Sequence, residues 1–141
     1  MKFISREQMA AEFRPFWEAV DAGHVSFPFC RACDRFHWYP MKLCPHCRSD
    51  DIVWLEISGP GTVHSWTALR HAFDPGDRCR LPYIVALVEF RDAPGVRLVT
   101  NIIDWAPERM EIGMAVGPVF DAATPSGLPL AYSPLPLTSL I

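Results

Sequence analysis

Two short stretches decide how this chain folds: Cys30-Arg31-Ala32-Cys33 and, after a gap of ten residues, Cys44-Pro45-His46-Cys47. The tight turn inside each Cys-x-x-Cys pair brings both sulfurs to the same side, so that two pairs can surround one metal ion with a tetrahedron of sulfurs. This closed geometry is typical of structural zinc sites. The sequence therefore predicts a structural Zn²⁺ bound by Cys30, Cys33, Cys44 and Cys47.

Iron and disulfides are the alternatives for these cysteines. The same ligands would hold iron in a rubredoxin-like electron carrier. Disulfides would need an oxidising compartment, and the chain shows no secretory signal. Four thiolates on a divalent ion carry a net charge of about −2, which nearby cations would offset. The basic residues in and beside the two pairs are Arg31, Arg35, Lys42 and Arg48, against Asp34.

Three further residues have metal-binding or nucleophilic side chains, but we expect none of them to act as a metal ligand or a nucleophile. His46 lies between the last two cysteines, and we expect it to be solvated because four sulfurs already suffice. His37, in Phe36-His37-Trp38-Tyr39-Pro40, is expected to belong to an aromatic surface. Cys79 is interpreted as a semi-buried loop residue, since no evident Cys-His-Asn arrangement accompanies it. A closed four-cysteine site cannot easily activate water. The sequence shows no Ser-His-Asp spacing, Gly-rich phosphate loop or paired-carboxylate motif either, so no residue is predicted to be catalytic.

Length and composition set the class of protein. The chain has 141 residues, of which half are apolar, and this predicts one modest domain with a small appendage rather than a disordered protein. No apolar run is long enough to cross a bilayer, so we expect a soluble protein of the reducing cytoplasm. The formal charge of −3 argues against strong non-specific binding of nucleic acid.

An N-terminal helical segment is expected over residues 1–26. Apolar residues recur at helical spacing between about Arg6 and Gly23, and Ser5 is a candidate N-cap. Pro15 lies inside this pattern, so the helix is expected to kink or to form two short pieces. Its aromatic stripe predicts either packing on the chain's own domain or a surface for a partner; the residues are Phe13, Phe16 and Trp17.

The remaining segments predict a mainly β protein. Residues 27–50 form the zinc ribbon, and residues 51–121 are expected to form a five-stranded antiparallel barrel of the OB type. The predicted strands are Ile52–Ile57, Thr62–Leu69, Pro82–Phe90, Val96–Ile103 and Met114–Phe120. Residues 122–141 are rich in proline and leucine. They predict an extended tail that lies in a groove of this chain or of a partner, or else a frayed terminus.

The order of these motifs resembles the DUF35 family over about residues 10 to 121. The matching stretches are Pro15–Ala19, the two cysteine pairs, Trp38-Tyr39-Pro40, Trp54, Ser58–Val63 and Ile112-Gly113-Met114. One departure is Met41-Lys42, where the family often has further proline and arginine. The resemblance implies an N-terminal helix, a rubredoxin-like zinc ribbon and an OB-fold, in agreement with the residue patterns.

The resemblance also implies a function. Members of the family pair with thiolase-fold enzymes, namely degradative thiolases, retro-aldolases or acyltransferases, and the partner carries the catalytic cysteine and histidine. The small subunit is needed for assembly or activity, and in some members it helps to hold or shield the coenzyme A ester. By this resemblance the chain is an accessory subunit of an acyl-CoA thiolase or aldolase, as a hetero-oligomer for which two plus two subunits is the natural expectation.

One loop is the candidate contact for coenzyme A or for the partner. Arginine forks bind phosphates and an aromatic ring can stack on adenine. The loop residues in question are Arg70, His71, Phe73, Arg78 and Arg80. The competing interpretation is a solvated loop whose arginines pair with Asp74 and Asp77.

A nucleic-acid-binding module is the alternative function. Zinc ribbons and OB barrels both occur in such proteins, and Trp54, Trp66 and Phe73 are candidates for stacking on bases. The acidic net charge argues against this function, as does the lack of a dense basic stripe: Arg97 is the main basic residue on the predicted strands.

Overall fold

The structure, a computed structural model, describes residues 11–71, 81–120, 124 and 128–136. Within these ranges the chain has one α-helix, eight strands and two short 3-10 turns, Ala11–Phe13 and Pro107–Arg109. The α-helix is α1, Arg14–Asp21, and the strands are β1 Val25–Cys30, β2 Arg35–Phe36, β3 Ile52–Ile57, β4 Gly61–Leu69, β5 Tyr83–Phe90, β6 Ala93–Ile102, β7 Ala115–Phe120 and β8 Leu130–Pro134. No helix in this part of the chain is long and apolar enough to span a membrane.

The N-terminal helix α1 begins at Arg14, so that Pro15 lies in its first turn. A 3-10 turn leads into α1, and Pro15 occupies the first turn of the helix, where a backbone N–H has no intrahelical acceptor. The helix ends before Gly23, whose φ of +88° lies in the left-handed region that favours glycine. The 3-10 turn followed by α1 agrees with the predicted two-piece helix. The predicted start of the helix at Arg6 and the candidate N-cap Ser5 lie outside the described residues.

The ribbon is built on a three-stranded antiparallel sheet in the order β2-β1-β3. β1 pairs with β2 through Cys30↔Arg35 and with β3 from Val25↔Ile57 to Cys30↔Ile52. The sequence analysis had placed Ile52–Ile57 in the barrel, and this assignment was wrong. The chain leaves the second cysteine pair next to the free edge of β1, and β3 pairs with this edge along its full length.

The barrel is closed and five-stranded, in the order β4-β5-β6-β8-β7. β4 meets β7 at Gly61↔Val116 and completes the ring. The fifth strand comes from the proline-rich segment: β8 lies antiparallel to β7 and touches β6 in parallel at Ile102↔Tyr132. Residues 130–134 of the expected extended tail therefore lie on this chain and form a barrel strand rather than a separate appendage.

A continuous apolar core joins the helix, the ribbon sheet and the barrel. Phe16 of α1 lies 6.1 Å from Phe27 of β1, measured between ring centroids. Phe27 lies 5.1 Å from Phe90 of β5, and Phe90 lies 6.0 Å from Tyr132 of β8. The ribbon is thus fixed against the barrel by aromatic packing, and this packing positions the cysteines at the far end of β1.

Candidate metal centre and surrounding surfaces

The four cysteines converge at one end of the ribbon sheet. Cys30 is the last residue of β1, and the turn that follows it carries Cys33. The Sγ atoms of Cys30 and Cys47 are 3.6 Å apart, and those of Cys33 and Cys44 are 3.7 Å apart. All four sulfurs lie within 4.8 Å of one another. Their predicted convergence is confirmed.

The spacing of the sulfurs fits a tetrahedral metal. Sulfurs bound at about 2.3 Å from a central zinc ion lie about 3.8 Å apart. The observed distances of 3.6 and 3.7 Å are close to this value and far from the bond length of a disulfide, about 2.05 Å. The cysteines are free thiols, which argues against the disulfide alternative. The donor set is therefore suited to Zn²⁺, with every coordination position filled by protein.

Backbone groups make the second cysteine pair a good anion site. The N–H of His46 donates to Sγ of Cys44 at 3.3 Å. Burial disfavours the thiolate at Cys44, but the N–H groups of Cys47 and His46 outweigh it and bring the pKa of Cys44 to about 6. By contrast, burial together with the neighbouring sulfurs raises the pKa of Cys33 to about 12. A metal ion must therefore displace protons from this cluster when it binds.

The charges around the cysteines differ from the sequence-based expectation in one respect. Arg31 was expected to offset the thiolate charge, but its Nε and Nη2 both donate to Oδ1 of Asp51, at 2.9 and 2.7 Å. Asp51 was overlooked because it lies beyond the second cysteine pair and meets Arg31 only through the pairing of β1 with β3. Arg35, Lys42 and Arg48, the other basic residues in and beside the cysteine pairs, are exposed.

The two histidines near the cysteines occupy different environments. His46 is exposed, as expected for a solvated turn residue. His37 is only 4% exposed, so the prediction that it belongs to a surface was wrong. Its backbone N–H donates to the carbonyl of Pro28 at 3.1 Å, which holds the residue against β1. Neither ring nitrogen of His37 has a hydrogen-bond partner among the described residues.

The predicted aromatic stripe of the helix is divided between the interior and the surface. Phe16 is 2% exposed and belongs to the chain's own core, so its assignment to a partner interface was wrong. Phe13 and Trp17 are partly buried. The Phe13 ring meets Trp38 edge-on at 5.7 Å and Tyr39 at 6.0 Å. Packing on its own domain therefore accounts for the most apolar face of α1.

Two residues of the candidate coenzyme A loop lie within the described structure. Arg70 and His71 are exposed just after β4, and Nη2 of Arg70 lies 3.3 Å from Oε1 of Glu108. The sequence analysis had named Asp74 and Asp77 as acidic partners for these arginines; Glu108 is 38 residues away and could not be anticipated from spacing. The other candidates, Phe73, Arg78 and Arg80, lie outside the described residues, as does Cys79.

The barrel surface offers little support for nucleic-acid binding. Trp54 and Trp66 are partly buried and pack against the core rather than standing free for stacking. Nε of Arg97 donates to Oε1 of Glu89 at 3.0 Å, and the same carboxylate lies 3.3 Å from His64. The main basic residue of the predicted strands is thus neutralised by a neighbouring acid.

Two family models match adjacent parts of the chain. Residues 17–53 match the rubredoxin-like zinc ribbon domain of ChsH2, and residues 54–121 match the C-terminal OB-fold domain of ChsH2. The first match contains all four cysteines. The second contains β4 to β7 but ends before β8, the strand that closes the barrel.

Named relatives and a solved structure are similar over both parts. A probable enoyl-CoA hydratase alpha subunit of Thermomonospora curvata is 40% identical over 102 residues, which make up 72% of this chain but 31% of that protein. A DUF35 domain-containing scaffold protein of Methanocaldococcus jannaschii is 29% identical over 122 residues, 85% of this chain and 82% of that protein. A chain of the Ltp2-ChsH2(DUF35) aldolase superposes with a TM-score of 0.76 and 33% identity, covering 89% of this chain and 96% of that chain.

Proposed function

Because this chain belongs to the DUF35 family, which joins a zinc ribbon to an OB-fold, we propose that it is an accessory subunit of a thiolase- or aldolase-type complex acting on acyl-CoA thioesters. The observation that carries the proposal is the similarity to a chain of the Ltp2-ChsH2(DUF35) aldolase, which extends over nearly all of that chain. The partner in this proposal is a thiolase-fold enzyme, in a hetero-oligomer of two plus two subunits. The setting is a cytoplasmic degradation pathway.

The metal centre supports a structural role for this subunit. Four cysteines fill a tetrahedron, so a zinc ion bound there has no position for water or substrate. What the ion supplies is folding energy for a segment with few other contacts. In this proposal the partner performs the chemistry, and this chain stabilises the partner and shelters the thioester.

The loop that begins at Arg70 is the proposed contact with coenzyme A or with the rim of the partner. Arg70 and His71 are exposed at the end of a barrel strand, and a guanidinium there can exchange Glu108 for a phosphate at small cost, because exposed ion pairs contribute little. Phe73, Arg78 and Arg80 are proposed to complete the contact. Phe13 and Trp17, which keep part of their surface exposed, are the proposed contacts of the helix with the partner.

Reconstitution tests the proposed function. The tagged chain is purified from its own cells, the partner is identified by mass spectrometry, and both proteins are then produced separately. We expect a thiolase-fold partner in near-stoichiometric amount, and we expect it to cleave its acyl-CoA only when this chain is present. A partner that is fully active alone, or nuclease-sensitive nucleic acid in place of a protein partner, would refute the proposal.

A matched pair of variants tests the loop within the assembled complex. Arg70→Ala is expected to raise the KM for the acyl-CoA by about tenfold or more, since removing one charged hydrogen bond costs about 1.5–3 kcal/mol and each 1.4 kcal/mol corresponds to a factor of about ten. Arg97→Ala removes an exposed arginine from the middle of β6 and is expected to leave the KM unchanged. Equal KM values for the two variants would contradict the role of Arg70 without affecting the accessory-subunit proposal.

A further inference from the structure

The helix α1 packs on the loop that joins the two cysteine pairs. Its two buried side chains are Phe16 and Val20. The Phe16 ring lies 5.1 Å from Trp38, and Phe13, immediately before the helix, meets the same ring edge-on at 5.7 Å. Phe16 also contacts Phe27 in β1 at 6.1 Å. Trp38 and Phe27, whose own rings meet edge-on at 5.2 Å, therefore share the aromatic surface on which the helix packs.

The segment that carries Trp38 has little backbone hydrogen bonding of its own. β2 before it has two residues, and the last hydrogen bond on that side runs from the N–H of His37 to Pro28. Within the part of the chain that the structure describes, no backbone hydrogen bond involves residues 38–43. Hydrogen bonding resumes at Cys44, whose N–H donates to the carbonyl of Ser49 at 2.8 Å. Backbone hydrogen bonds thus hold residues 38–43 only from the two ends, and Trp38 adds its packing on Phe27.

One of these ends depends on the metal. The sulfur of Cys44 lies 3.7 Å from that of Cys33, across the space between the two cysteine pairs. Without a cation between them, these two sulfurs share a proton, and only a weak S–H···S contact joins the two cysteine pairs at this point. Without the cation, the second cysteine pair is held near the first only through the chain that leads into β3, where Arg31 meets Asp51, and the Cys44 end of the segment gains freedom to move.

The barrel does not share this dependence on the metal. It closes on itself through paired strands, among them β4 with β5 from Gly61↔Phe90 to Leu69↔Tyr83 and β5 with β6 from Ile84 onward. None of the four cysteines lies on a barrel strand. Loss of the metal can therefore loosen the ribbon turn while the barrel remains intact.

We propose that metal binding at the four cysteines controls the packing of α1, with Trp38 as the physical link. The bound ion holds residues 38–43 in place, and Trp38 then holds Phe13 and Phe16. Removal of the ion weakens the packing of the helix on Trp38, so that the helix then rests mainly on Phe27, while the barrel stays folded. The coupling follows from the packing of this chain and stands whether or not the proposed function is correct.

Hydrogen exchange of the full chain tests the proposal directly. The zinc-loaded protein and the chelated protein are compared by exchange of backbone amides. We expect the amides of α1 to lose protection by about tenfold or more after chelation, and those of β5 and β6 to change by less than about twofold. Unchanged protection in α1, or an equal loss of protection in the barrel, would overturn the proposal.

A pair of tryptophan variants tests the link at Trp38. In the zinc-loaded protein, Trp38→Ala is expected to lower the protection of α1 and, because coupling is reciprocal, to weaken zinc affinity by about fivefold or more. Trp66→Ala, which removes a partly buried tryptophan from β4, is the control and should leave both quantities unchanged. If Trp38→Ala does not fold, Phe13→Ala removes the same contact from the helix side. Wild-type protection and affinity in the variant that folds would overturn the link.

Discussion

Phe27 of β1 and Phe90 of β5 lie in contact at the boundary between ribbon and barrel, with ring centroids 5.1 Å apart and planes inclined by 48°. Phe27 is completely buried and Phe90 is 5% exposed. Because these two rings belong to different sheets, they tie the ribbon sheet to the barrel by packing alone. The strands of the ribbon therefore share the barrel's core, in contrast to the turn that carries the second cysteine pair.

The first prediction concerns this contact. Phe27→Ala is expected to lower the free energy of unfolding by about 3–5 kcal/mol, the usual range when a buried phenylalanine is truncated. Denaturant unfolding of the zinc-loaded protein measures the change. Leu55→Ala, on the neighbouring strand β3 but 39% exposed, is the control and should cost far less. Similar losses for the two variants would show that Phe27 does not join the two sheets.

The second prediction concerns the start of β4. A Cβ on Gly61 would collide with Cγ1 of Val88, and the ring of Phe90 would lie 3.2 Å away. Gly61→Ala is therefore expected to lower the free energy of unfolding by about 1–3 kcal/mol, as in other overpacked cores. Thr62→Ala, at the exposed next position, should stay within about 0.5 kcal/mol of the wild type. A Gly61→Ala variant as stable as the wild type would contradict the close packing.

Local signals explain which features could be predicted from the sequence. A Cys-x-x-Cys turn needs only four residues to orient two sulfurs, so the metal site could be assigned without knowing the fold. The long apolar strand β5 is likewise marked by its own composition. The five-stranded barrel was confirmed, although only four of its strands, β4 to β7, were among the five predicted ones.

Strand pairing was harder to predict because it depends on distant neighbours. β3 has the same apolar pattern whether it joins β1 or the barrel, and only the free edge of β1 decides between them. β8 ends at Pro134 and follows Pro129, so its sequence suggested a tail. Tyr132 is buried because β6 and β7 leave a gap between them, and no local pattern reveals that gap.

The third prediction concerns the ligands and the identity of the metal. Cys47→Ser replaces a thiolate with a hydroxyl that binds zinc weakly, so the protein is expected to lose most of its zinc on dialysis against a mild chelator. His46→Ser, at the adjacent exposed position, should retain about one zinc ion per chain. Elemental analysis by mass spectrometry measures both. Iron in the wild-type protein, or full zinc retention in Cys47→Ser, would contradict the assigned site.

The last prediction concerns the dependence of stability on pH, and it rests on His37. Burial lowers the pKa of His37 below its usual value of 6.5, and the charge of His46 lowers it further. The unfolded chain therefore binds a proton at His37 before the folded chain does. The contribution of neutral His37 to the free energy of unfolding is therefore fully present above pH 6.5. It is lost as the pH falls from 6.5 toward the folded-state pKa, with a slope of at most about 1.4 kcal/mol per pH unit.

Substitution of His37 separates this contribution from the protonation of the cysteines, which destabilises every variant in acid. His37→Phe cannot take up the proton, so its free energy of unfolding should fall less than that of the wild type between pH 7.5 and 5.5. His24→Gln removes a partly exposed histidine 3.6 Å from Glu56 and is the matched control. Denaturant unfolding at each pH, with zinc present, measures the difference. If the free energies of unfolding of the wild type and of His37→Phe fall in parallel with pH, the prediction is wrong. Burial of the imidazole would then not lower the pKa of His37.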